Sequence, residues 1–145
     1  MKKTCLGYLR FSSLFFSLII LYGCQNDEPL EGVEVTDVSI ISIDENLFIP
    51  VIYMENKRKE IARFHMKIEF NNENISEYLE DINIGEYMFM EDGILELEPS
   101  PEYYFSITME LPDDFPKELN EELNDFQVIV YNQEGYSKVY EFNND

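Results

Sequence analysis

Few side chains in this sequence are of a kind that does covalent or acid–base chemistry, and their spacing limits what each could do. There is one histidine, His65, and it falls between Arg63 and Lys67 on the polar side of an alternating run, with no serine, thiol or carboxylate at a recognised motif spacing. A solvated imidazole is expected there. The 30 carboxylates could supply a glycosidase pair anywhere, so no particular pair stands out. Zinc would want several Cys or His ligands, which are absent. Calcium needs only oxygens, and Glu91-Asp92, Asp113-Asp114 and Asn143-Asn144-Asp145 offer them, but none follows the EF-hand loop. No glycine-rich phosphate loop occurs. The residues therefore predict no catalytic group, no metal and no small-molecule cofactor.

Cys24 is different, because it closes an apolar run. Lys2, Lys3 and Arg10 precede Leu14, Phe15, Phe16, Leu18, Ile19, Ile20 and Leu21, and the run ends in Leu21-Tyr22-Gly23-Cys24. This resembles the lipobox of bacterial lipoproteins. The resemblance covers the first 24 residues and implies cleavage before Cys24, a diacylglycerol on its sulfur with an N-acyl chain possible, and a mature protein held on an extracytoplasmic membrane face. Two other readings of the segment compete. A retained transmembrane helix needs about 20 apolar residues, and the run is about half that. A secreted protein without lipid would leave Cys24 an unpaired thiol near a new N-terminus. Two acyl chains meet the two-signal requirement for stable anchoring.

Without residues 1–23, the ten basic residues lose Lys2, Lys3 and Arg10, leaving seven against 30 acids and a formal charge of −23. Such a field repels phosphate backbones, which excludes nucleic acid as a partner, and favours cationic proteins or simple solubility. Eight Tyr and eight Phe remain beside many Ile, Leu and Val, so the chain can bury a core as a single domain. Residues 24–32 carry Asp27, Glu28, Pro29 and Gly32 with no apolar period and read as an acidic tether; the eight after Cys24 would span about 27 Å if extended.

Five of the seven cations, Lys57, Arg58, Lys59, Arg63 and Lys67, fall within eleven positions. This basic island is either a charged turn with edge protection or a docking patch for a partner, wall polymer or anionic headgroup.

The elements that must position these residues read as strands. Segments 33–43 and 47–55 are rich in Val and Ile, joined by a turn at Asp44-Glu45-Asn46, and Pro50 predicts an edge position or a bulge. In 61–70, Ala62, Phe64, Met66, Ile68 and Phe70 alternate with Arg63, His65, Lys67 and Glu69, the pattern of a half-buried strand. A helical turn is expected within 75–81, a strand over 82–90, and a hairpin through Asp92-Gly93 into 94–98. Tyr103, Phe105, Ile107, Met109 and Leu111 predict a second alternating strand, Pro116 starts a short helix to Asn124, and 126–131 and 136–142 form a closing hairpin around Gln133-Glu134-Gly135.

Seven or eight strands with one short helix predict an all-β immunoglobulin-like antiparallel sandwich over 33–145, with a small lipocalin-like barrel as the rival. The stretch Ile52-Tyr53-Met54-Glu55-Asn56-Lys57 is similar to immunoglobulin-like domains of bacterial lipoproteins, a resemblance that implies no site residues. The expected function is a non-catalytic binding or interaction module anchored by lipid to the cell membrane or outer membrane. The alternatives are a small-ligand carrier and an inhibitor or immunity lipoprotein that masks a cationic protein.

Overall fold

A computed structural model describes residues 29–43 and 46–143. The leader, Cys24, the start of the tether, Asp44-Glu45 of the first turn and Asn144-Asp145 lie outside the described residues. No described helix is long and apolar enough to cross a membrane.

Among the described residues, nine strands form two antiparallel sheets: β1 Val33–Ile43, β2 Leu47–Asn56, β3 Ala62–Phe70, β4 Ile82–Asn83, β5 Leu95–Leu97, β6 Ser100–Ser106, β7 Met109–Glu110, β8 Asp125–Tyr131 and β9 Ser137–Asn143. The first sheet runs β1-β2-β6, with β7 also on β2; the second runs β4-β3-β8-β9, with β5 also on β3. The spines β1-β2-β6 and β3-β8-β9 reproduce the two-sheet order of an immunoglobulin-like sandwich. Neither sheet closes on itself, which sets aside the barrel.

Alternation explains which face each strand buries. Phe48, Ile52 and Met54 of β2 face Phe64, Met66 and Ile68 of β3 and Phe126, Val128 and Val130 of β8, all buried. Aromatic rings cross the gap between the sheets: Phe48 lies 6.1 Å from Phe126 and 5.6 Å from Phe70, and Phe64 lies 6.3 Å from Phe105. These tilted and edge-on pairs suit the ring quadrupoles.

Pro50 sits in the central strand of its sheet, so of the two positions expected for it the bulge is the one observed. Lacking an N–H, it interrupts the ladder: Phe48 pairs with Met109 and Val51 with Ser106, leaving a gap between, while β1 shifts register between Ile40 and Ser42 opposite Pro50 and Ile49. The strand expected over 103–111 is split at the same gap into β6 and β7.

Three local expectations are corrected. The strand expected over 82–90 is a two-residue strand followed by one helical turn, α1 Ile84–Tyr87, and a 3-10 turn at Glu91–Gly93. Backbone contact is the cause: Gly85 packs against Gly93, where a Cβ would lie 2.0 Å from the Gly93 carbonyl oxygen, and Met90 N–H bonds Gly85 O at 2.9 Å. The helix expected from Pro116 to Asn124 is two 3-10 turns, Lys117–Leu119 and Glu121–Asn124. The tether also ends earlier than its composition implies. Residues 29–32 form a turn whose Leu30 is buried in the core, and Lys57 N–H donates to Gly32 O at 2.8 Å.

Gly85→Ala forces the 84–94 segment away from β3 and is expected to cost about 1–3 kcal/mol. Urea unfolding checks it, and a cost below a few tenths would mean that the contact is not retained in solution.

Candidate functional site

The turn between β2 and β3 carries most of the basic island and is built around one buried polar side chain. Asn56 is 3% exposed. Its amide donates to Glu60 O at 2.9 Å and to Leu97 O at 2.8 Å, and its Oδ1 accepts the Arg58 N–H at 3.0 Å. The first two bonds tie the end of a first-sheet strand to the turn and to β5 of the second sheet. The sequence reading passed over Asn56, although an asparagine on the inner face of a strand that enters a turn is a recognisable signal.

The structure brings together only part of the expected docking patch. Lys57, Arg58 and Lys59 share the turn beside Glu31 and Gly32. Arg58 and Arg63 line a shallow groove with His65, Asn132 and Glu134. Lys67 stands apart, toward the other end of β3, where it pairs across the sheet with Asn83 and Ile129. Most of these cations are matched by their own acids. Lys57 Nζ lies 2.7 Å from Glu55 and 3.0 Å from Glu34. Arg63 Nε donates to Glu96 Oε1 at 2.7 Å. Arg58 donates to the Pro29 carbonyl, and Lys67 to Glu69 with Asp81 at 3.6 Å. Arg58 and Lys59 have no carboxylate partner among the described residues. Exposed pairs of this kind contribute little to stability and leave little free charge for a partner.

These pairs set the pH response. Hydrogen bonding to Lys67 holds the Glu69 carboxyl below its ordinary 4.5, with a further bond from Gln127, and Glu34 is lowered in the same way by Lys57. A lowered folded value means that the stabilisation is complete above the unfolded value and is lost as pH falls through the folded one. Glu69→Gln is therefore expected to destabilise at pH 7 and to lose its effect progressively as pH falls through the lowered folded value, as urea midpoints along an acid pH series would show. An effect that does not change with pH would assign it to packing.

His65 lies on the outward face of β3 with its ring stacked on Tyr131, centroids 5.1 Å apart. Among the described residues no three carboxylate, thiol or imidazole groups converge on a common point, and Glu91-Asp92 and Asp113-Asp114 occupy exposed turns.

The feature that the sequence reading missed lies on the outer face of the first sheet. Ile41, Val51, Tyr53, Glu102, Tyr103, Tyr104 and Ser106 line a shallow groove of about 590 Å³. Tyr104 is 62% exposed, with its ring 6.3 Å from that of Tyr53, its cross-strand partner. The β1 bulge turns Ile41 outward beside them, and Val51 is buried beneath. Among the described residues no cation lines the groove, Glu102 is its one carboxylate, and Asp37 pairs with Tyr53 from β1. The sequence signal was the adjacent pair Tyr103-Tyr104: on a strand, one of two neighbouring tyrosines must face out. A second exposed ring, Phe89, has φ 59 and is 96% exposed on the 84–94 segment.

No family model and no curated protein matches this sequence. Among solved structures, the chain is similar to a crystal structure of a protein from Archaeoglobus fulgidus, at 11% identity and a TM-score of 0.32, over 78% of this chain and 98% of that one. At that level the likeness carries no argument about function.

Proposed function

We propose that this protein is a lipid-anchored, extracytoplasmic binding module of the cell envelope, held through Cys24, and that it works by contact rather than by catalysis. The observation that carries the reading is the tyrosine-lined outer face of the first sheet. An open sheet normally turns polar side chains to water, and a cluster of Ile, Val and Tyr there favours a partner surface. The basic island plays another part. Its Lys57, Arg58 and Lys59 surround the point where the chain enters the domain, through the Gly32 and Pro29 carbonyls, so the end nearest the anchor also holds most of the island. Most acids of the 71–81 and 112–125 links lie at the opposite end of the strands, which would turn them away from anionic headgroups.

The acidic charge also keeps the inhibitor or immunity reading open, as a special case of the same module with a cationic protein as partner. The carrier alternative loses its basis with the barrel.

The test is a pull-down from native envelopes with the full-length protein, a Tyr104→Ala variant, and a variant with Lys57, Arg58, Lys59, Arg63 and Lys67 reversed to Glu. A specific partner retained by the charge-reversed form and lost with Tyr104→Ala supports the reading. Capture that depends on the basic residues instead returns the site to the β2–β3 turn, and no capture by any form removes the interaction function. Cys24→Ser should release the protein from the membrane fraction; its retention there would sink the lipid anchor.

A further inference from the structure

The edge of the tyrosine face has an unusual shape for an edge strand. Strand β6 is hydrogen-bonded to β2 on one side and has no second neighbour among the described residues. In an immunoglobulin-like sheet a further strand would lie there, but the preceding strand β5 pairs with β3 in the other sheet, and only Glu98-Pro99 separates it from β6. Edge strands are usually protected by Lys, by Pro or by short length. Here Pro101 protects only the start, and the following Glu102 to Ser106 carries no cation.

Side chains on both faces are left uncovered by the missing neighbour. Tyr103 falls on the inner-face register of β6 with its ring 5.1 Å from Phe105, yet at the sheet edge it is 47% exposed and also lines the rim of the groove. Tyr104 points to the outer face, next to Tyr53 and in the same groove as Glu102.

We propose that the occupant of this face is an extended, basic segment of a partner protein that adds to β6 as a further antiparallel or parallel strand. The inference rests on the reading of the tyrosine face given above and names its ligand class. Main-chain bonds to the β6 edge would supply affinity, and the two faces of the added strand would supply specificity. An apolar side chain on the inner face would cover Tyr103. A Lys or Arg on the outer face would lie over the Tyr104 ring within reach of Glu102, combining a cation–π contact with an ion pair. Charge decides the sign of the partner: among the described residues the groove is lined by one carboxylate, Glu102, and no cation, in a chain of formal charge −20. The same charge disfavours a second copy of this chain at the edge.

The experiment uses the full-length protein in non-ionic detergent, titrated calorimetrically with a capped octapeptide of alternating arginine and valine. Saturable one-to-one binding is expected, weakened at least tenfold by Tyr104→Ala and by Glu102→Lys. N-methylation of the peptide's alternate amides, which keeps every charge, should weaken it as much. Tyr104 is largely exposed, so its variant should fold, and thermal unfolding confirms that before titration. Equal binding of the N-methylated peptide would reduce the interaction to charge alone and overturn strand addition. Equal binding of a glutamate–valine octapeptide, indifference to Tyr104→Ala, or binding of a neutral oligosaccharide with no peptide binding would overturn it too. A partner captured through Tyr104 in the pull-down, with no peptide binding here, defeats this inference and leaves the binding-module reading standing.

Discussion

Replacing Phe48 by alanine is expected to destabilise the domain by roughly 3–5 kcal/mol, the range for truncating a large buried aromatic. Phe48 is fully buried and is the ring through which β2 of the first sheet meets Phe70 of β3 and Phe126 of β8 in the second. Alanine would leave a cavity between the sheets that neither can fill, because their backbones are held in register on both sides. A small domain has a total stability of about 5–15 kcal/mol, so the variant should be near the edge of folding. Urea unfolding followed by far-ultraviolet circular dichroism measures the loss. A cost below about 1.5 kcal/mol would mean that the site collapses, and that the two sheets are not held together here.

Asn56→Leu is the second large effect, expected at about 2–4 kcal/mol despite the gain of an apolar side chain, because buried groups left unpaired cost more than a made bond contributes. The Glu60 and Leu97 carbonyls and the Arg58 N–H all lose their partner together. Asn56→Asp separates this account from simple packing. An ionised carboxylate there would face two carbonyl oxygens, so the folded state prefers the protonated acid and raises its value above the unfolded one. The variant should then be least impaired at acid pH, losing stability as pH rises above the unfolded value of about 3.9. A pH-independent loss would show that the two carbonyls do not depend on a donor at this position.

The strands that bury one face were legible because period two is a local property. Alternation in β3 survives in the structure almost residue by residue: Phe64, Met66 and Ile68 are buried while Arg63 is exposed. The closing hairpin was legible for the same reason, helped by turn chemistry. Asn132 Oδ1 accepts the Glu134 and Tyr136 N–H groups at 3.1 and 3.0 Å, and Gly135 takes φ 92. The 82–94 segment was not legible, since apolar residues around Gly85 satisfy a strand pattern equally well, and only contact with Gly93 selects the helical turn. The island of cations was visible as a run of letters, and Glu55 and Glu69 lie only two positions from Lys57 and Lys67, but Glu34 and Glu96, which pair with Lys57 and Arg63, lie 23 and 33 positions away. Linear spacing carries no record of such pairing.

By itself, then, the amino-acid order determined an acidic, cysteine-poor domain of alternating strands that follows a segment whose Leu21-Tyr22-Gly23-Cys24 resembles a lipobox, because charge, composition and side-chain period are properties of neighbours along the chain. Tertiary structure alone decided that β6 has no second neighbour among the described residues, that the β1 bulge turns Ile41 out beside Tyr53 and Tyr104, and that Asn56 joins the two sheets. Each of these is a question of which strand lies beside which, and long-range pairing is what folding adds to local preference.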